Sequence, residues 1–497
     1  MRSHPVTSLF LGALLAAAGS LVAGHAVAAD HDVDASFGAQ GYPGWARLFE
    51  PGEAASQDQH GVAFARTADG GFVVVASLPG GGANNGTGVR IGLFWVDADG
   101  SWSTANDFVS KDAWFTSITD MAIDSQGRIV VLGETPGPGG LNDFAVARFL
   151  PDGSDDISFA GDGATAIGMD SLGSSFDDEL GTLLIDRDDR ILIAGNSTYP
   201  GQLTQFGVVR LNQNGTRDSS FGNIDDGQGG RRGTLGRFIG AQAAYGVRLV
   251  PISDDYMVLV GNTQESGSAV NFAATVLRPD GVYWADDEGS ISVAVSADPI
   301  HMDFVKDATW AGSDRVLIAG TSGDRCAAIR ILATTNQLGE YVHLTLDDDF
   351  VGSAQVGNPN RYIGTTSGTS CAGVTVDSQG RAILVGLEGI ANRPGPLAAG
   401  HPKRPVGSGN LVSGLATRLL PNGSPDPTFG VGGDWWYNAS TGGGGQSHNT
   451  ALKQVVMAGD QPVLLGTSAD DPTGTDDMDA VLTRLGLGAG VFSDGFE

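Results

Sequence analysis

The chain has 497 residues, a net charge of −29 and a glycine count of 76. A field of that sign repels nucleic acid and anionic lipid, which excludes both as partners, and it favours solubility. The acids, mostly Asp, are spread along the chain in turn-like positions and read as solvated loops. Collagen periodicity is absent, and Gly and Asp cluster between short β-branched runs, the composition of many tight hairpins.

Residues 1–29 read as a signal peptide. Arg2 supplies the positive start, residues 9–23 the apolar run, and Ala26-Val27-Ala28 the small residues before a cleavage site expected after Ala28 or Ala29. No later stretch approaches the roughly 20 apolar residues of a membrane-spanning helix. The expected product is secreted or periplasmic, without a membrane span.

From residue 30 onward one string recurs: an apolar run ending in glycine. It reads Ile-Val-Val-Leu-Gly133, Ile-Leu-Ile-Ala-Gly195, Met-Val-Leu-Val-Gly261, Val-Leu-Ile-Ala-Gly320, Ala-Ile-Leu-Val-Gly386 and Pro-Val-Leu-Leu-Gly466, preceded by the variant Phe-Val-Val-Val-Ala-Ser77. Each copy follows a short run and a turn, as in Met121 to Gly127 or Val374 to Gly380, which predicts a hairpin with glycine at positive φ. A third run follows, ending in Arg148, Arg210 or Arg418 before a Gly-containing turn. Then comes Asp-x-Ser/Thr-Phe-Gly/Ala, at Asp34 to Gly38, Asp156 to Ala160, Asp218 to Gly222 and Asp426 to Gly430, and a fourth run such as Trp435-Trp436-Tyr437.

Seven units of four antiparallel strands, with runs apolar on both faces, predict an all-β, seven-bladed β-propeller over residues 30–488. Repeats of this kind count as one domain. The segment from Asp34 to Phe49 is the tail of a repeat, and the last repeat stops at its third strand near Leu485. The N-terminal strand is therefore expected to complete the seventh blade and remove an open edge.

The unit resembles the delta-60 repeat of bacterial secreted propeller-like proteins. That consensus runs through a turn glycine, a β run to Gly, Asp-Phe-x-Val-x-Arg, Asn/Asp-Gly and Asp-x-Ser-Phe-Gly. The second, third and sixth copies match well. The first, fourth and fifth depart from it: Trp95 stands where others have Arg, and the fourth lacks Phe-Gly. The resemblance implies the fold but no general activity. Residues 489–497 form a C-terminal tail, in which 491–497 resembles a short terminal motif of exported bacterial proteins; it reads as a sorting tag or a polar tail.

Several residue sets carry candidate chemistry. Arg148, Arg210, Arg330, Arg418 and Arg484 recur at the end of the third strand, where pairing with the repeated Asp, such as Arg210 with Asp218, is expected over anion binding. Cys326 and Cys371 fit either one disulfide between neighbouring blades or two buried thiols. The Asp-rich stretches at Asp97 and Asp99, Asp347 to Asp349, and Asp470 to Asp479 fit calcium or ordinary turns, and none has the spaced calcium-loop pattern. No cofactor is expected, with calcium as the alternative. Metalloprotease, nucleophile-elbow and phosphate-loop motifs are absent.

The loops leading into the innermost strands would surround the mouth of the central channel, the default place for a site. They carry Asp58, His60, Asp120, Asp178, Glu179, Tyr245, His301, Asp303 and His448. Their types differ from unit to unit, so no repeated structural need dictates them. The reading that follows is a monomeric binding or scaffold propeller engaging protein or glycan through its loops. The alternatives are a hydrolase or lyase at the channel mouth, with His and carboxylate as acid and base, and a calcium-stiffened surface protein.

Overall fold

The computed structural model describes residues 33–486 apart from 39–43, 51–58, 82–87, 104–105, 113–114, 138–141, 169–176, 199–202, 226, 239–242, 254–255, 265–268, 284–288, 297–301, 353–358, 390–411, 431, 438–448 and 470–477. The expected signal peptide, the 491–497 motif, Asp58, His301, His448, Asp470 and Asp471 therefore lie outside the described residues.

Twenty-nine strands make seven antiparallel sheets, with no helix among the described residues. The first strand in the chain, β1 (Trp45–Leu48), belongs to the last sheet. Blade 1 is β2 (His60–Arg66), β3 (Phe72–Gly81), β4 (Gly88–Val96) and β5 (Phe108–Asp112). Blade 2 is β6 (Ser117–Ile123), β7 (Ile129–Pro136), β8 (Asn142–Phe149) and β9 (Ala164–Ile167). Blade 3 is β10 (Asp177–Ile185), β11 (Ile191–Thr198), β12 (Gln205–Leu211) and β13 (Thr234–Gly236). Blade 4 is β14 (Ala243–Pro251), β15 (Met257–Gln264), β16 (Val270–Leu277) and β17 (Ser290–Val293). Blade 5 is β18 (Asp303–Trp310), β19 (Arg315–Ser322), β20 (Arg325–Thr335) and β21 (Tyr341–Leu346), with an added short strand, β22 (Arg361–Ile363), on β20. Blade 6 is β23 (Thr369–Val376), β24 (Ala382–Gly389), β25 (Val412–Leu419) and β26 (Asp434–Tyr437). Blade 7 is β27 (Asn449–Ala458), β28 (Gln461–Ala469) and β29 (Met478–Arg484), completed by β1.

The first strand of each blade touches its counterparts in the two adjacent blades, from β2 round to β27 and back to β2. These seven strands surround the axis. The ring is a seven-bladed β-propeller. β1 closes it by pairing with β29 from Trp45↔Thr483 to Leu48↔Ala480. Backbone and side chain secure the joint: the Asp34 amide donates to the Arg484 carbonyl at 2.8 Å, and the Arg484 guanidinium pairs with the Asp34 carboxylate at 2.9 Å.

Seven apolar cores fill the wedges, each shared by two adjacent blades. Thus Val131 and Ile129 of β7 face blade 1, while Val130 and Leu132 of the same strand face blade 3. A sheet buried on both faces has no use for polar alternation, which explains the unbroken Ile-Val-Val-Leu run. Each such side chain removed from water contributes roughly 1.5–3 kcal/mol before chain entropy is counted.

The recurring Arg and Asp-x-Ser/Thr-Phe residues form a staple between blades. Arg210 pairs with Asp218 at 2.8 Å, lies over the Phe221 ring, and donates to the Pro279 carbonyl of blade 4 at 3.0 Å. The Gly222 amide donates to the Asp280 carbonyl of the same turn, and the Phe221 ring covers Gly281, where a Cβ would lie 2.6 Å from it. Arg148, Arg330 and Arg484 repeat the ion pair, the ring contact and the donation to the next blade. Arg418 repeats the ion pair and the ring contact. The expected Arg–Asp pairing is therefore present, with an inter-blade role added. The fifth copy, which departs in sequence, keeps the staple through Asp347 and Phe350 because the Asp–Phe spacing is intact. In blade 1, Trp95 substitutes for arginine by donating its indole N–H to the Pro151 carbonyl at 3.1 Å. Blade 4 has Val276 at the arginine position, and the blade 4–5 wedge holds the largest apolar core instead.

Candidate functional site

The innermost strands carry a second recurring device. Each is irregular at one level: between Gly61 and Ala63, Ile118 and Asp120, Glu179 and Thr182, Gly246 and Arg248, Val305 and Asp307, Cys371 and Gly373, and Leu452 and Gln454. A bulge tips the extra residue out of the ladder and re-aims its neighbour. The recurring glycine on the second strand makes room for it. A Cβ on Gly261, Gly320 or Gly386 would lie 1.7, 2.0 or 1.9 Å from the carbonyl oxygen of Tyr245, Phe304 or Ser370. In blade 1 the second strand has Ala76 instead, and its cross-strand partner Gly61 is the glycine.

All seven bulges open onto one lumen of about 370 Å³ on the axis. The bulged positions supply Val62, Thr119, Gly181, Val247, Lys306, Ala372 and Lys453. The residues just after them supply the rest of the polar lining: Asp120, Thr182, Arg248, Asp307 and Gln454.

Arg248 sits at the centre of the polar set. Its Nη1 donates to Asp120 Oδ2 at 2.9 Å, and its Nε lies 3.1 Å from Asp307 Oδ1. Both acids also tie neighbouring blades together. Asp120 Oδ2 accepts the Leu183 amide of blade 3, and Asp307 Oδ2 accepts the Val374 amide of blade 6, each at 2.9 Å. Gln454 does the same, accepting the Phe64 amide of blade 1 at 2.8 Å. Burial works against the Arg248 charge, but Asp307 and Asp120 outweigh it and hold the guanidinium above its ordinary pKa. Burial pushes the Asp307 carboxyl above the usual carboxylate range, against the pull of Arg248 and two amides.

Two ammonium groups complete the lumen. Lys453 donates to the Gly61 carbonyl at 3.0 Å, and burial lowers its pKa. Lys306 is exposed into the lumen and has no ion-pair partner among the described residues.

Of the residues expected at the mouth, Asp120 lies in this lumen. Asp303 is buried, 0% exposed, and its Oδ2 accepts the Val295 amide at 2.7 Å, so it anchors the outer strand of blade 4 to blade 5. His60 and Tyr245 are half-buried at the start of β2 and within β14, one or two residues before the bulge. The backbone of Asp178 and Glu179 pairs with Ser197 and Asn196 in blade 3. The lumen cations escaped the sequence reading because a bulge has no composition signal; the one pointer was the glycine string opposite it.

Two other expectations meet the structure here. Cys326 of β20 and Cys371 of β23 form a disulfide joining blades 5 and 6, with Cα atoms 4.8 Å apart. Among the calcium candidates, Asp99 accepts the Ser101 amide and Asp347 is held by Arg315 and Arg330. No cluster of three or more metal-ligating side chains occurs among the described residues. A larger groove of about 510 Å³ lies between blades 3 and 4, but Arg190 and Arg210 on its wall are already paired with Asp186 and Asp218.

The family model described as "Domain of unknown function (DUF5122) beta-propeller" matches residues 125–159 and 187–221. Both stretches run from the first hairpin turn to the staple phenylalanine, so the match spans the second and third repeats. No curated protein sequence matches the chain. Among solved structures, a putative oxidoreductase (glucose dehydrogenase) from Thermus thermophilus is similar at 14% identity, over 67% of this chain and 91% of that one, with a TM-score of 0.36. A protein of unknown function from Dyadobacter fermentans is 11% identical, over 90% and 100% of the two chains, at 0.39. A PL25 ulvan lyase is 10% identical, over 88% and 96%, at 0.41.

Proposed function

We propose that this chain is an exported binding propeller that receives part of a glycan or protein ligand in its axial lumen. One observation carries the reading: seven blades each bulge at the same level, and the side chains so presented differ from blade to blade. A purely structural device would repeat its residues, as the staple does. A concave site with a few convergent polar groups on a rigid frame is the usual form of a ligand site.

Asp307 favours a second reading, a hydrolase or lyase, because a carboxyl with a raised pKa in a cleft suits a general acid. Binding is preferred because Asp307 already meets Arg248, Ala308 N–H and Val374 N–H with its two oxygens. Three of its four lone-pair directions are thus taken, which suits a structural carboxylate better than a proton donor to a substrate.

The test is a microarray of neutral and acidic glycans probed with the whole exported chain and with Val62→Trp, which fills the lumen from blade 1. Glycans captured by the parent and lost in the variant support the reading. Capture that survives the plug moves the site to the loops, and release of new reducing or unsaturated ends favours the enzyme.

A further inference from the structure

We infer that the lumen is a seat for an anionic group of the ligand, a carboxylate, sulfate or phosphate, held between the ammonium groups of Lys306 and Lys453; this rests on the axial reading above.

The chain has 57 acidic against 28 basic residues, so an unmatched cation is the unusual case. Three lysines fall among the described residues. Lys111 has an acidic partner, Asp155, at 3.2 Å. The other two line the same 370 Å³ lumen, and neither forms an ion pair among the described residues. The lumen acids are not free to serve them. Asp120 is occupied by Arg248, Thr182 and the amides of Met121 and Leu183, and Asp307 by Arg248 and the amides of Ala308 and Val374.

The placement of the two lysines is specific. Lys306 is the bulged residue of blade 5 and Lys453 that of blade 7. Blade 6 lies between them and contributes Ala372 at the same level, followed by Gly373. Two cations therefore flank a floor of small residues. Gln454 adds a donor: its Oε1 accepts the Phe64 amide, which leaves its Nε2 without a partner among the described residues. Both ammonium groups line the same lumen, and burial already disfavours the charge on Lys453. A shared anion there would receive charge-assisted hydrogen bonds from both.

Titration calorimetry on the whole chain tests this with four probes: a glucuronate-terminated tetrasaccharide, its neutral glucose-terminated counterpart, inorganic sulfate and inorganic phosphate. The acidic sugar is expected to bind at least tenfold tighter than the neutral one. Lys306→Gln/Lys453→Gln should lose at least tenfold for the acidic sugar, while Lys111→Gln, a surface control, should not. Competition by sulfate or phosphate assigns the affinity to the anion itself, and its absence assigns it to the sugar carboxylate in context. In the parent chain, which needs no altered residue to fold, the acidic probe should slow acetylation of Lys306 and Lys453 as mapped by mass spectrometry. Equal binding of acidic and neutral sugars, unaltered acetylation, or no binding by any probe overturns the inference. Val62→Trp on the glycan array judges the axial reading separately.

Discussion

At the scale of single residues, Gly320 shows how a repeated letter acquires a reason. The run before it, Val316 to Ala319, is apolar, yet the position itself admits no side chain, because the bulged strand beside it brings the Phe304 carbonyl to 2.0 Å from where a Cβ would be. Gly320→Ala must push β18 toward the lumen. We expect a loss of about 3 kcal/mol, in the range of overpacked or strained cores, read from the urea midpoint; an unchanged midpoint would show that the bulge does not need the glycine. Blade 1 differs, with Ala76 at the equivalent position paired with Gly61.

At the scale of elements, the staple couples each ion pair to a blade junction, and its acids set the pH response. Burial alone would raise Asp34, Asp156, Asp218 and Asp426, but hydrogen bonds from the Ser or Thr two residues on, together with the partner arginine, hold all four below the ordinary carboxylate value. Asp347 is lowered against burial in the same way by Arg315, the Asp349 amide and Arg330. A depressed carboxylate stabilises the fold above its unfolded pKa of about 4 and loses that contribution as the pH falls through its folded value. Asp434 of β26 has the opposite sign: burial lifts it to about 6. Its proton favours the folded state, so its contribution is full below about 4 and is lost as the pH rises through about 6. Stability should peak between about pH 4 and 6, and Asp434→Asn should lessen the decline on the neutral side, to which the raised Asp307 also contributes, while leaving the acid side alone. Urea midpoints from acid to mildly alkaline pH check this; an identical neutral-side slope in the variant would remove Asp434 as its cause.

At the scale of the whole molecule, the ring has six ordinary junctions and one made by the two ends of the chain. The blade 5–6 junction carries both a staple and the Cys326–Cys371 bond, which closes a loop of 45 residues. The chain-entropy relation gives about 4 kcal/mol for a loop of that length. Cys326→Ser/Cys371→Ser should therefore lower the unfolding free energy by about 2–4 kcal/mol under non-reducing conditions. The parent treated with a reductant should converge on the variant, and a variant as stable as the oxidised parent would contradict the account.

Local chemistry determined a great deal by itself. Apolar runs with no polar alternation demanded sheets covered on both faces. Turn glycines set the hairpins, and the Arg and Asp-x-Ser-Phe residues, eight positions apart from Arg148 to Asp156, announced their own pairing. Seven copies with a split last unit implied a closed ring. Tertiary structure decided what faces the axis. Whether Asp303 meets the lumen or accepts the Val295 amide, and whether Lys306 and Lys453 line one cavity, depends on a one-residue bulge in each inner strand. The register of a strand flips its side chains with every single step, and the three-dimensional packing of seven such strands brings residues 62 through 453 to one level. Spacing along the chain holds no record of that convergence, because the distances that create it are measured across blades.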